Sequence, residues 1–399
     1  LLDAAGMSET SLKGRLGALA LVAPLVLFLA IFFAWPLVSM LKESVSDPVG
    51  SHAFPLTAAV AGDWDRQSEP PEALKQAFVN DLRAIDDQQL LGDAVRRLNS
   101  AQNGFRTLMS RTIRAVEEQP EGPLDLVAVD KRWADVRFWR AVADSTNPYT
   151  DRYLLAALDY ERDASGSIAA LPAEASANTA ILLRTLGIGA VVTLACALIG
   201  LPYAMLVASV DGWKRQALLG AVLLPLWTSL LVRTAAWFIL LQEQGLINDT
   251  LMSLGLIGSP LPLIFNRLGV VIAMTHVLLP FMVLPIYSVL LSIPRNLMPA
   301  AASLGAPPWR AFLRVLLPLS LRGVVSGSLL VFMTAIGYYI TPALIGGAQD
   351  QMISSVIAFY AIGSANWGMA GALGAILLVA TLALYTVYGR LSADRAGGR

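Results

Sequence analysis

Six stretches of this chain, at about 17–41, 179–209, 216–241, 268–293, 321–345 and 369–391, are each long and apolar enough to cross a lipid bilayer. A span needs about 20 mostly apolar residues, and inside hydrocarbon a helix satisfies its own backbone hydrogen bonds. The chain therefore reads as an all-α membrane protein with six transmembrane helices. Composition agrees: 56% of the residues are hydrophobic and only 15% charged, where soluble domains carry about 25% charged residues. The first stretch is too long for a signal-peptide core, and only Trp35-Pro36-Leu37 follows where small cleavage-site residues would stand. It is expected to remain as an anchor.

A net charge of zero conceals two different environments. Residues 42–177 hold 22 of the 29 carboxylates and 15 of the 29 bases, leaving 14 bases and 7 acids for everything else. Basic residues in short loops mark the cytoplasmic side. One side collects Lys13, Arg15, Lys214, Arg215, Arg295, Arg310, Arg314, Arg322, Arg390, Arg395 and Arg399, whereas the opposite short loops hold only Arg267. Both termini (1–16 and 392–399) and the polar loop 294–320 are thus expected in the cytoplasm. Residues 42–177 are expected on the far side, since long segments translocate largely regardless of charge. Cys196, the only cysteine, lies in the second span, so the exported region must hold by packing alone.

Within that region, residues 45–70 are rich in Pro, Ser and Asp and read as loop, with His52 inside it. From Pro71 the pattern turns helical. Phe105, Leu108, Met109, Thr112, Ile113 and Val116 keep spacings of three and four on one face, until Gln119-Pro-Glu-Gly-Pro123 stops the run. Trp133, Val136, Phe138 and Trp139, then Tyr153, Leu154, Leu155 and Leu158, suggest two more short helices broken at Asn147-Pro148. The expectation is a small helical domain of about 100 residues, enough for a modest core. Its scattered carboxylates read as a solvated helical surface, and neither a catalytic nor a metal-binding set is expected.

None of the six spans contains an Asp or Glu. Proton- and ion-coupled carriers usually need such groups in the membrane, so the energy for any transport is expected to enter elsewhere. The chain has no Gly-x-x-x-x-Gly-Lys-Ser/Thr phosphate loop, and ATP chemistry would have to come from another subunit. Four polar or aromatic residues in the spans are weighed as pathway-lining: Arg233, His276, Tyr338 and Tyr339. Arg233 lies about two turns from the external end of its span and either snorkels to the interface or takes part in gating. His276 reads as a satisfied buried histidine rather than a ligand. Tyr338 and Tyr339 either pack in the core or offer aromatic faces to an ammonium. Gly323-x-x-x-Gly327 permits close helix approach.

The polar loop carries the most specific pattern. Pro299, Ala300, Ala301, Ala302, Ser303, Leu304, Gly305, Ala306, Trp309, Arg310, Leu317 and Pro318 lie in a helical, Arg-bearing stretch between two long apolar segments. It resembles the cytoplasmic coupling loop of importer-type ABC transporter permeases, whose pattern is Glu-Ala-Ala, three residues, Gly, nine residues, then Ile-x-Leu-Pro. Ala300, Ala301, Gly305, Val315, Leu317 and Pro318 fall in register, while Pro299 stands where the family has Glu. Gly305 is expected at the turn leading into the short helix that docks on the ATPase. Val232-Arg233-Thr234 through Trp237, Gly245-Leu-Ile-Asn248, Leu279-Pro-Phe-Met-Val-Leu-Pro285 and Ala343-Leu-Ile-Gly-Gly347 resemble the polyamine-type (spermidine/putrescine) branch.

The resemblance covers about residues 180–390. It implies a permease core at 178–391 that works with a second permease subunit, a dimer of ATP-binding cassette ATPases using ATP and Mg, and a periplasmic substrate-binding protein, in a bacterial inner membrane. This chain itself would hold no cofactor and bind no nucleic acid. A carboxylate-free pathway would hold a cation only weakly, so either recognition belongs to the binding protein or the substrate is another small solute. The helical insert at 42–177 would dock the binding protein or serve as a spacer. The rival readings are an ion-coupled transporter or channel acting without an ATPase, and a membrane receptor sensing ligand through the exported domain.

Overall fold

The computed structural model describes residues 20–162, 167–172 and 176–397, with side chains to residue 386. The expected N-terminal segment 1–16, with Lys13 and Arg15, and Arg399 lie outside the described residues. Two compact units are present. One takes in α1 (Ala20–Glu43), the chain up to Ala156, Tyr160–Ala170 and Trp367–Ala372; the other takes in Ala157–Asp159, Leu171–Asn366 and the chain from Leu373.

In the first unit, α1 is apolar along its length and, among the described residues, exposed over most of it, with Phe32, Phe33 and Trp35 about 70% exposed. A π turn at Ala30–Ala34 precedes Pro36, and Trp35 N–H donates to Ala30 O. The wider turn gives room for a ring that would otherwise clash with the carbonyl four residues back.

After α1 come α2 (Val49–Ala53), α3 (Pro55–Ala61), α4 (Glu72–Ala84), α5 (Gln88–Ala101), α6 (Phe105–Glu118), α7 (Leu126–Val129), α8 (Val136–Ser145) and α9 (Arg152–Ala157). The stretch 45–70, expected as loop, thus contains two short helices, and His52 lies in α2. The reason is non-local. The buried Asp81 carboxylate of α4 accepts from Leu56 N at 3.0 Å, Thr57 N at 2.7 Å and Thr57 Oγ1 at 2.7 Å, which satisfies the first turn of α3 from outside it.

The aspartates once read as surface charge are also helix caps. Asp87, Asp125 and Asp135 accept from backbone N–H groups that open α5, α7 and α8. Asp130 does the same for the 3₁₀ turn Lys131–Ala134. The Arg132 guanidinium hydrogen-bonded to Asp130 holds that carboxyl well below the usual carboxylate range.

The expected face of α6 is buried: Phe105, Leu108, Met109, Thr112 and Val116 point inward. They meet an aromatic cluster in which Trp133 and Trp139 have ring centroids 4.8 Å apart and Phe78 lies 5.3 Å from Trp133. Both indoles keep their polar ends satisfied, Trp133 donating to Thr112 Oγ1 and Trp139 to Trp133 O. Thr146–Asp151 separates α8 from α9, as the Asn147-Pro148 break predicts. A short antiparallel pair, β1 (Tyr160–Arg162) and β2 (Ile168–Ala170), was not anticipated.

The second unit contains α10 (Asn178–Ser209), α11 (Trp213–Trp227), α12 (Leu230–Leu240), α13 (Leu246–Ser253), α14 (Arg267–Ser292), α15 (Leu297–Ser303), α16 (Pro308–Gly337), α17 (Ile340–Ile345) and α18 (Ile353–Gly363); α19 (Trp367–Gly397) begins in the first unit. Among the described residues, five helices are long and apolar enough to cross a membrane, or six if the bent pair α11–α12 is one span.

Two expected spans differ in form. The third, 216–241, is broken at Thr228–Ser229, and its halves meet at 102°. Pro225 sits just before the break, and Thr228 O, between the two helices, lies outside both helical ladders. The fifth, 321–345, begins earlier and ends earlier: the helix runs from Pro308 to Gly337, and Pro342 falls in the separate α17. The Ser354 hydroxyl donates to Ile336 O in the last turn of α16, and the Ser355 hydroxyl to Tyr339 O, which also accepts from Ala343 N–H in α17.

The centre of this unit is α10, α14 and α16, packed around Met282. Val192, Cys196, Met274, Leu278, Met282, Val283, Ile286 and Val331 are fully buried. The approach is close because glycines face it. A Cβ on Gly323 would lie 2.7 Å from Ile286 Cα, and one on Gly327 would lie 2.8 Å from Met282 Sδ. The pair reads as packing, as the small-xxx-small spacing predicts.

Candidate functional site

The segment between α14 and α16 is built to present a surface. Asn296 opens α15, and Pro299 is its third residue, where the missing N–H would have no intrahelical partner. A proline is therefore tolerated at the position where the resembling pattern has Glu. The helix ends in a closed cap: Gly305 N–H donates to Ala302 O at 2.9 Å and Ala306 N–H to Ala301 O at 3.0 Å. That pairing requires a left-handed residue, and Gly305 has φ +83°. Gly305 thus closes the short helix that precedes it, where the sequence suggested that it opens one.

Beyond the cap, Pro307 is extended and Pro308 occupies the first helical position of α16. Residues 308–320, expected as a helical loop segment ahead of the span, are helix continuous with it. A π turn at Phe312–Leu316 lets Leu317 N–H reach Phe312 O, and Pro318 follows it. The Leu-Pro end of the motif thus sits at a widened turn, as Pro36 does in α1.

Pro299, Ala300, Ala302, Ser303, Leu304 and Gly305 are exposed, and Ala301 and Ala306 are half-buried. Leu304 is 89% exposed. Trp309 is exposed, with the Arg310 guanidinium 5.1 Å from its ring centroid. Leu317 is half-buried and Pro318 exposed. The arrangement is a short rigid helix, closed by a cap and flanked by an exposed leucine and a tryptophan–arginine pair, between two well-packed long helices.

A second group forms at the broken span. Arg233, in the first turn of α12, donates from Nη2 to Thr228 O at 2.8 Å. It neither snorkels freely nor stands alone, because it caps the carbonyl freed at the break. Its Nε is buried without a partner among the described residues. Trp237, one turn on, donates from Nε1 to His276 Nδ1 at 3.1 Å, and the two rings meet edge to face at 5.3 Å. His276 is satisfied as an acceptor, as expected, though its ring is exposed on an otherwise buried stretch of α14. Arg233 lies within electrostatic reach of both His276 and Tyr338.

Three of the four candidate pathway residues therefore converge. Tyr339 is engaged differently, heading α17 with its carbonyl accepting from Ser355. The sequence reading missed Trp237 as a member of this group, and it missed the buried Thr234–Thr341 hydroxyl pair at 3.1 Å that ties α12 to α17. Trp237 stands four residues after Arg233, which puts both on one helical face. The Thr pair spans 107 residues and leaves no local signal.

Residues 200–395 match the family model described as "Binding-protein-dependent transport system inner membrane component". The spermidine/putrescine transport system permease protein PotB of Escherichia coli (strain K12) is 34% identical over 212 residues, 53% of this chain and 77% of that protein. The inner membrane ABC transporter permease protein YdcU of the same organism is 33% identical over 225 residues, 53% of this chain and 68% of its own length. Among solved structures, a bacterial alginate ABC transporter in complex with an alginate pentasaccharide-bound periplasmic protein matches over 55% of this chain and 80% of its own. There the identity is 17% and the TM-score 0.48.

Proposed function

The chain belongs to the binding-protein-dependent inner-membrane permeases of ABC importers, and from that membership we propose that it forms half of a translocation pathway for a polyamine-like solute. It is the permease subunit of an ATP-driven importer. The observation that carries the coupling role is the capped, exposed helix Leu297–Ser303 with Leu304, Trp309 and Arg310 beside it. In this reading the helix seats in a groove of an ATP-binding cassette ATPase dimer that uses ATP and Mg. The cap at Gly305 makes it stiff enough to transmit rigid-body motion into α14 and α16. A second permease subunit supplies the other half of the pathway, and a periplasmic binding protein delivers the solute.

The group at the broken span is proposed to line that pathway. It offers one fixed cation, Arg233, with the Trp237, His276 and Tyr338 rings, and no carboxylate among the spans. A protonated polyamine would be held there only through aromatic faces and would pass without a deep binding minimum. Spermidine and putrescine are the first solutes to test, because the PotB relatives are named for them.

The experiment is uptake of labelled spermidine into proteoliposomes holding this chain, its partner permease and the ATPase. The expected result is uptake that needs internal ATP and external binding protein. Uptake driven by an ion gradient without ATP would overturn the reading.

Orientation has its own test. With both termini and residues 294–320 cytoplasmic and residues 42–177 periplasmic, Ser68→Cys and Ser303→Cys in a Cys196→Ser background should label from opposite faces. Both serines are exposed, whereas Cys196 is buried. Labelling of both from outside would reverse the assignment.

A further inference from the structure

The region between α1 and α10 holds a groove of about 780 Å³ between α5 and α6, within the size range of ligand and peptide-anchor pockets. Its floor is apolar, made by the half-buried Val95 of α5 and Ile113 of α6, with Leu91 and Met109 buried beneath them. Arg106 and Arg114 stand at its edge, and neither has an ion-pair partner among the described residues. Arg96, also at the edge, is paired with Asp93, and Glu117 supplies a single acid at one end. This basic rim stands out within residues 42–177, where acids outnumber bases 22 to 15.

One residue of the groove has no explanation in its own chain. Gly92 lies in the interior of α5, where glycine destabilises a helix relative to alanine. Its φ is not in the left-handed region, and an added Cβ would meet nothing within 4 Å. Neither backbone conformation nor packing asks for glycine there. What its bareness does is leave the wall of the groove open to the close approach of another backbone.

We propose that this groove docks an acidic, apolar-tipped segment of the periplasmic binding protein. The inference rests on the importer reading above, which makes a binding protein the partner on this side of the membrane. An apolar side chain of the partner would sit on the Val95–Ile113 floor, its neighbouring carboxylates would meet Arg106 and Arg114, and its backbone would pass over Gly92. Apolar anchors ringed by charges of the opposite sign are how such interfaces gain both affinity and orientation.

The test uses the assembled complex in nanodiscs and the solute-loaded binding protein, reading affinity and ATP hydrolysis together. Gly92→Trp fills the groove from a position facing open space. It should weaken binding-protein affinity by about tenfold or more, with basal ATP hydrolysis unchanged. Arg106→Glu with Arg114→Glu should weaken it by a similar factor and flatten its dependence on salt. Gly92→Ala should weaken affinity by a smaller factor than the tryptophan, since one methyl group intrudes on the backbone approach without filling the groove. Parent-like affinity in both the tryptophan variant and the double charge reversal would overturn the proposal. So would equal loss for a binding protein whose surface carboxylates have been neutralised, because the charge reversal would then have acted on something else. Should the tryptophan variant fail to assemble, the charge reversal decides. Failure of the importer reading looks different: the parent complex itself would transport without any binding protein.

Discussion

Gly305→Asp is expected to abolish stimulated ATP hydrolysis and solute uptake in the assembled complex, while membrane insertion stays normal. The residue has φ +83°, and its N–H and that of Ala306 close the end of α15. A residue with a Cβ in that conformation costs about 1–2 kcal/mol. The space around it is open, so the cost falls on the cap and not on the core. The helix would then fray from its C-terminal end, Leu304 and Trp309 would lose their fixed spacing, and the aspartate would add a charge at the docking face. Gly305→Asn is the control for the added charge, because asparagine is near-isosteric with aspartate and both are among the better-tolerated residues in the left-handed region; it should retain most of the stimulation. Pro299→Ala should be mild, since the proline occupies a first-turn position that needs no N–H. Full stimulation by the aspartate variant would remove α15 from the coupling role.

The same segment shows what a sequence can and cannot display. The spacing from Ala300 to Pro318 singles out this segment, and every matching residue has a local structural job: small residues on a short helix, glycine at a left-handed cap, proline after a widened turn. Its form was less legible. The helical pattern of 308–320 reads as a loop segment separate from the following span, yet these residues are continuous with it. The apolar run 216–241 carried no visible interruption besides Pro225, so the bend at Thr228–Ser229 could not be placed from hydropathy.

Contacts across long separations explain most of what was missed elsewhere. Nothing within 45–70 announces a helix at Pro55–Ala61, because the group that satisfies its first turn is Asp81. The periodic face of α6, by contrast, was readable since its partners only had to be apolar. Asp87, Asp125, Asp130 and Asp135 could have been recognised as caps, each standing just before a helical run; counting them as surface charge hid that. At the broken span, Arg233, His276 and Tyr338 were picked singly for their chemistry, and only the fold shows that they meet, with Trp237 joining them.

The second large effect is expected at the crossing of α14 and α16, where Gly323→Leu should prevent a folded chain from accumulating. A Cβ at Gly323 would already stand 2.7 Å from Ile286 Cα and 3.0 Å from Pro285 O. These are backbone atoms, with no rotamer to move aside. Overpacking a well-filled core typically costs 1–3 kcal/mol, and the cost here lies at the upper end or above because two helix axes must separate. Separation would also uncover Met282, which sits against Gly200 of α10 as well as Gly327 of α16, so the damage spreads to all three central helices. Gly323→Ala should show the same defect more weakly, as a lower thermal midpoint of the detergent-solubilised complex. At Gly327 the nearest atom is the flexible Met282 thioether, with Met282 O and Cα behind it at 3.0 and 3.1 Å, so Gly327→Ala should also lower the midpoint, but by less than Gly323→Ala. Gly187→Ala in α10 is the contrasting case: nothing lies within 4 Å of its added Cβ, and a mid-helix alanine there should leave the midpoint equal or slightly higher. A Gly323→Leu complex that elutes as a single assembled species with the parent's thermal midpoint would mean the helices cross further apart than the geometry of Ile286 and Gly323 requires.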